Sequence, residues 1–359
     1  MTDVAVRILH ALPGPAAGPL ERWLATEREL VAERQRRGFL RAGAASVRVV
    51  AGPPDDTPFG ARLRALVAAE RPAGLVVLGS GSVPLATAAQ RRALIAVAAS
   101  GEHRALANNR FSADVIAVGC AERLIHVPDL PGDNALPRWL EEVAGYEMAD
   151  LRPSWRLAID LDGPFDLLLT GRAGTANRAG IELAAVRARL AAVAAVAADR
   201  RAELLLAGRT SAATLAWLER GVAARVRALV EERGLRAATR LAQARDGDRP
   251  TAARPPRSVL GTLLERDGPG AFGARLAELG DAAVVDSRVL LAHRFGADER
   301  GWPPAEDRFA SDLLLADRVR DPWLRDLTAS AATAPIPVVL GGHTLVGPGL
   351  RLIGTRAWS

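Results

Sequence analysis

Four short apolar runs punctuate the first third of the chain, at residues 4–12, 46–51, 74–78 and 115–118. Several carry no polar residue at alternate positions. A strand with water on one face alternates apolar and polar side chains, so runs of this kind suit strands covered on both faces, as in a mostly parallel sheet. The intervening stretches have the helical period. Residues 19–42 and 58–70 read as helices, with Phe59, Leu63, Leu66 and Val67 on one face of the second. Residues 87–99 read as a third helix, with Thr87 as its cap. This alternation predicts an α/β domain of Rossmann-like build, a mostly parallel sheet with helices on both faces.

At 359 residues the chain exceeds one ordinary core. A composition shift after Gly171 predicts two domains, 1–172 and 173–359, the second also α/β. In it, residues 178–201 form an alanine-rich helix with Leu183, Val186, Leu190, Val193 and Ala197 in a seam. That seam fits packing within the domain and leaves a homo-oligomeric contact open. A strand at 203–207 and a helix at 211–233 follow, then an Arg/Asp/Gly/Pro-rich stretch at 244–256 that reads as an exposed loop. Further elements are expected as helices at 258–266 and 309–319 and strands at 282–285 and 337–340.

Composition narrows the functional classes. All 47 basic residues are arginine, and the net charge is +6. The arginines alternate with 41 acids and aromatics make up 4%, which argues against a nucleic-acid surface. A single cysteine, Cys120, follows an apolar run and is expected to be buried; it excludes an internal disulfide. No apolar stretch reaches the roughly 20 residues of a membrane helix, and no cleavable signal pattern follows Asp3, so a cytoplasmic protein without membrane partners is expected.

Three strand ends share a pattern of apolar residues running through glycine to hydroxyl residues: 76–82, 204–211 and 338–344. Open α/β sheets bind ligands at the carboxyl ends of their strands. In the back half, polar groups concentrate at Asp286-Ser287-Arg288, His293, Glu306-Asp307-Arg308, Asp312 and Gly341-Gly342-His343-Thr344. They fit acids that cap helices or pair with arginines, and equally the parts of a metal or general-base site. Gly208-Arg209-Thr210-Ser211 before a helix fits an anion-binding helix start or an ordinary cap at Ser211.

The front half carries two further motifs. Gly79-Ser80-Gly81-Ser82-Val83-Pro84-Leu85 follows a buried strand, and Asp160-Leu161-Asp162-Gly163-Pro164-Phe165-Asp166-Leu167 closes another. Together they resemble the framework of the nucleotidyltransferase superfamily, of the molybdopterin-guanylyltransferase and phospholactate-guanylyltransferase kind. The resemblance covers about the first 170 residues and implies a GT-A-type fold. It also implies transfer of a nucleotidyl group from an NTP to a small phosphorylated or cofactor-precursor acceptor.

Carried onto this chain, the resemblance makes Asp160 and Asp162 catalytic residues that hold Mg²⁺. Gly14, Gly18 and Arg22 of the first loop, and Gly79, Ser80 and Ser82, would cradle the nucleotide. Asn108, Asn109 and Arg110 fit recognition of a base or phosphate, and equally the satisfaction of a loop. The chain departs from the family pattern in two places. Three prolines interrupt the loop at 11–20, and Ser80 and Ser82 stand where a carboxylate is expected. Three readings follow: a nucleotidyltransferase, a catalytically inactive nucleotide-binding or regulatory protein of that fold, and a metal-dependent hydrolase or transferase using His293 and His343 of the back half.

Overall fold

The computed structural model describes residues 3–53, 55–231, 245–246, 249–250 and 256–357. Most of the stretch 244–256 therefore lies outside the described residues. The chain divides into two compact units, one of Met1–Ala17 with Leu24–Leu161, the other of Gly18–Trp23 with Asp162–Ser359. The division falls before the composition shift at Gly171, because residues 164–169 already form a helix packed within the second unit.

The first unit runs β1 (Val4–Ala11), α1 (Pro19–Arg41), β2 (Ser46–Gly52), α2 (Phe59–Glu70), β3 (Gly74–Gly79) and α3 (Ala88–Ala98). It continues with β4 (Arg104–Ala107), β5 (Val115–Val118), α4 (Leu136–Glu142) and β6 (Glu147–Asp150). The six strands form one sheet in the order β2-β1-β3-β5-β4-β6. It is mostly parallel, as the uninterrupted apolar runs predict, except that β5 runs antiparallel to both β3 and β4.

Period-two alternation along β1 explains its two-sided burial. Val4, Val6 and Ile8 join Phe39 of α1 and Leu94 of α3 in one core, while Ala5 joins Leu63 of α2 and Leu140 of α4 in the other. Arg7 is only 3% exposed, and its Nε donates to Glu70 Oε1 of α2 at 3.0 Å. Thr87 caps α3 as expected: its hydroxyl accepts from the Gln90 N–H, and the Gln90 side chain accepts from the Thr87 N–H.

The second unit contains α5 (Pro164–Leu169), α6 (Ala184–Ala198), β7 (Glu203–Gly208), α7 (Ala212–Gly221) and β8 (Arg225–Val230). After the two-residue strands β9 (Arg245–Asp246) and β10 (Arg249–Pro250) come α8 (Val259–Asp267), α9 (Phe272–Ala277), β11 (Ala282–Asp286) and α10 (Ser287–Phe295). The last elements are α11 (Ala305–Asp312), α12 (Pro322–Ala332), β12 (Val338–Gly341), α13 (His343–Val346) and α14 (Leu350–Ala357). The main sheet is wholly parallel, in the order β12-β11-β7-β8. Residues of α1's first turn belong to this unit, where the Glu306 carboxylate accepts the N–H groups of Leu20 and Glu21.

Three expectations are corrected. Residues 211–233 are not one helix: α7 stops at Gly221, and Arg225–Val230 beyond it pairs with β7 as β8. The helix expected at 309–319 is α11, which starts after Pro304 and ends before Leu314, a residue in the left-handed region at φ 57°. The strand expected before the Asp160 motif is absent. Too few residues lie between the 3₁₀ turn Trp155–Ala158 and the start of α5, and only Asp160 pairs, in a single antiparallel bridge with Ser82.

Cys120 is half-buried rather than buried, with its thiol donating to Gly101 O at 3.1 Å. Among the described residues no helix is long and apolar enough to cross a membrane.

Phe39 has no exposed surface and anchors α1 to the sheet. Phe39→Ala should lower the unfolding free energy by about 3–5 kcal/mol, read from the urea midpoint at unchanged slope.

Candidate functional sites in the two units

In the first sheet the chain steps from β1 to β2 on one side and to β3 on the other, so the carboxyl ends of β1 and β3 flank a topological switch point. Two buried polar side chains meet there, His10 Nδ1 lying 3.0 Å from Ser80 Oγ. Burial pushes the His10 pKa below the ordinary imidazole value, partly opposed by Glu29. The ring is therefore neutral near pH 7.

The chain leaves β3 through a tight turn. The Ser80 N–H donates to Leu9 O at 2.8 Å, and the Ser82 N–H to Gly79 O at 3.1 Å. Into this turn comes the second motif. The Leu161 N–H donates to Gly81 O at 3.2 Å, and Asp160 forms its bridge with Ser82. Space at Gly81 is tight: a Cβ there would sit 3.0 Å from Arg28 Nε and 3.3 Å from Asp160 Oδ1. Arg28 itself donates to Leu161 O at 2.8 Å. Two motifs far apart in sequence are thus neighbours in space.

Other residues named from sequence are placed less centrally. Gly14 accepts the Ala17 N–H at 3.0 Å and has open space at its Cα. Gly18 and Arg22 fall in the second unit, Gly18 against the Glu306 carboxyl and Arg22 exposed on α1. Asn108 is an internal brace. Its amide donates to Asp114 Oδ2 at 2.7 Å and Leu157 O at 2.9 Å, and its carbonyl accepts from the Asp114 and Val115 N–H groups. Asn109 Oδ1 accepts the Phe111 N–H at 3.0 Å, and Arg110 pairs with Glu141.

Asp160 is half-buried in the first unit, its Oδ1 accepting the Leu161 N–H at 2.8 Å. Asp162 belongs to the second. Among the described residues no three His, Cys, Asp or Glu side chains gather around a common point. Mg²⁺ commonly needs only one or two carboxylates beside the phosphates of its ligand.

The second sheet repeats the topological device. β7 leads outward to β8, and β11 lies on its other side, so its switch point is between β7 and β11. A cavity of about 260 Å³ is lined by Asp162, Asp166, Arg209, Arg288, Glu299, Trp302, Arg308, Phe309, Gly342 and His343. Two of the three similar strand ends, those of β7 and β12, contribute to this wall.

Asp286 and Asp312 both pair with arginines, and Asp286 also caps α10 by accepting the Arg288 N–H. Arg209 donates Nε and Nη2 to Asp286 at 2.6 and 3.1 Å. Arg288 grips Asp312 at 2.7 and 2.6 Å. Gly208 makes the first pair possible. Its φ is 143°, and a side chain there would collide with Asp286.

His293 lies outside the cavity wall. Its Nδ1 accepts the Ser258 N–H at 2.9 Å, and its Nε2 sits 3.0 Å from Glu265 Oε1. The two histidines singled out from sequence therefore have separate surroundings. Sequence reading named most of the cavity's polar residues but not Glu299, Trp302 or Phe309, which sit in the poorly periodic stretch around Pro303-Pro304.

Asp166 is 3% exposed, and its Oδ2 accepts the N–H groups of Asp162 and Gly163, each at 2.9 Å. Burial first, then the Asp162 charge, pushes its pKa from 3.8 up to about 8 despite these bonds.

No family model matches this sequence, and no curated protein matches it. Among solved structures, a nucleotidyl transferase from Methanothermobacter thermautotroptrophicus (Mth528) is 18% identical with a TM-score of 0.34, over 49% of this chain and 99% of its own. Rv0371c from Mycobacterium tuberculosis H37Rv is 19% identical with a TM-score of 0.26, over 42% of this chain and 87% of its own.

Because the native state holds the Asp166 proton more tightly than the unfolded chain does, its contribution to stability is full below pH 3.8, declines as pH rises, and is gone by about pH 8. Asp166→Asn keeps an acceptor for the two N–H groups and removes this titration. Its melting temperature should fall less than that of the unaltered protein between about pH 5 and pH 9, followed by thermal denaturation.

Proposed function

We propose that this chain is a nucleotidyltransferase-like protein whose first unit binds a nucleoside triphosphate where β1 and β3 part. One observation carries the reading: the Gly79–Ser82 turn and Asp160 are in contact at that switch point. Open α/β sheets take their ligands at such crevices.

In this reading the Gly79–Ser82 turn would lie beside the phosphates, and Asp160 would be the protein carboxylate that holds Mg²⁺. When bound, the ion offsets charge on the triphosphate and on the leaving pyrophosphate. The prolines of the 11–20 loop remove amide donors, and the chain has no lysine. Charge neutralisation then falls on Mg²⁺ and arginine, so nucleotide binding should require the metal. The reaction assigned is nucleotidyl transfer to a small phosphorylated or cofactor-precursor acceptor.

The serines at the position of an expected carboxylate favour one second reading, a protein that binds the nucleotide without transferring it. Pyrophosphate release distinguishes the two.

A panel of NTPs with and without Mg²⁺ tests the proposal by thermal denaturation. At about 100 times its dissociation constant a ligand adds ~2.7 kcal/mol, or a rise of roughly 5–10 °C for a unit of this size. The shift should need Mg²⁺ and disappear in Asp160→Ala. Absence of a shift with every nucleotide overturns the assignment.

A further inference from the structure

We propose that the cavity of the second unit is a binding site for a small phosphate monoester. Every residue involved belongs to that unit, so the inference stands apart from the nucleotide reading.

The arrangement of charge points to an anion. Asp286 and Asp312 are each 1% exposed and do not line the cavity, whereas the guanidiniums they hold do. Each carboxylate therefore grips one edge of its arginine from behind. A guanidinium has five N–H donors in a planar fork; Asp286 takes two from Arg209, while Asp312 and Ser287 Oγ take three from Arg288, so three and two donors remain. Ion pairing here aims Arg209 and Arg288 without covering them.

Arg308 is held differently. It stacks over Trp302, 5.6 Å from the ring centroid, and its nearest acid is the half-exposed Glu299, with Nη1 3.6 Å from Oε2. Its Nε is buried without an acceptor. Burial, and then the nearby charge of Arg288, lower its pKa from the usual guanidinium value. Three guanidiniums thus reach the wall, two of them held by buried acids and the third paired only with Glu299 among the ion pairs. A buried donor without an acceptor is costly, and an oxyanion accepting from the Arg308 guanidinium offsets that cost.

Geometry selects phosphate over carboxylate. One arginine fork satisfies a planar carboxylate, whereas three forks arriving from the end of β7, the start of α10 and α11 suit a tetrahedral group with three oxygens. The remaining carboxylates on the wall, Asp162, Asp166 and Glu299, and the His343 imidazole must also be accommodated. Asp166 is committed to two backbone N–H groups. Asp162 and His343 lie 3.5 Å apart and are 49% and 42% exposed, which places them where hydroxyls on the ester's carbon portion can bond. At about 260 Å³, the cavity is just below the roughly 300 Å³ at which pockets for drug-sized ligands begin. It has room for a phosphoryl group and a few carbons, not for a nucleoside triphosphate.

Calorimetric titration of the full chain with glycerol 3-phosphate, inorganic phosphate, glycerol and lactate tests the assignment. Glycerol 3-phosphate should bind, inorganic phosphate more weakly, and glycerol and lactate not measurably. Arg308→Gln should weaken the monoester at least tenfold, and Arg308→Lys should recover only part of the loss. Because either variant can perturb folding, a second measurement uses the unaltered protein: phenylglyoxal labelling with peptide mapping should show Arg308 protected by the monoester and not by glycerol. No binding of the monoester, equal affinity for lactate or for inorganic phosphate, or unchanged affinity in Arg308→Gln overturns the proposal. So does unprotected Arg308 in the labelled protein.

Discussion

A carboxylate sealed from water needs a cation, hydrogen-bond donors or a proton, and two in the second unit, Asp286 and Asp312, are answered by arginines that line its cavity. Asp286 closes β11 and Asp312 closes α11, each with almost no exposed surface. Removing one partner of a buried pair typically costs about 3–5 kcal/mol, so Arg209 and Arg288 have little freedom to sit elsewhere. Gly208 follows from the same demand, because only a residue without Cβ lets β7 and Asp286 approach so closely. The rigid, planar guanidinium suits this duty better than an ammonium. A chain that uses arginine alone has the appropriate side chain at every such position.

The same topological event occurs in each unit with different chemistry at its mouth. Where β1 and β3 diverge, the polar groups are a neutral imidazole, two buried hydroxyls and one half-buried carboxylate. Where β7 and β11 diverge, they are guanidiniums steadied from behind by acids. Parallel sheets create the crevice, and the few residues after each strand decide what it holds.

Much of this was legible in sequence. The apolar runs of β1 and β3 and the cap at Thr87 rest on local chemistry, and the pairing of Asp286 and Asp312 with arginine follows from the abundance of arginine although the partners lie 77 and 24 residues away. Strand direction was not legible. β5 is as apolar as β3 yet runs the other way, and nothing in a four-residue run encodes which neighbour it meets. β8 was hidden inside a helical pattern because four of its six residues, Arg225, Arg227, Ala228 and Leu229, favour helix, and pairing with β7 overrides that propensity. Within residues 106–114, Asn108 is a brace: Asp114 and Val115 fill three of its hydrogen-bonding positions, and Leu157 of a 3₁₀ turn distant in sequence fills the fourth. The Asp160 motif read as one unit of chemistry, but the backbone divides it after Leu161.

That division has a practical meaning for anyone handling the gene. The second unit draws on residues 18–23 as well as on 162–359, and Glu306 satisfies the amides of Leu20 and Glu21. A single cut at the Leu161–Asp162 bond would leave one fragment without its hexapeptide and the other carrying a segment that is not its own. Each unit is compact by itself, but their sequences are interleaved. Dissecting them calls for a circularly permuted or grafted design rather than a pair of truncations.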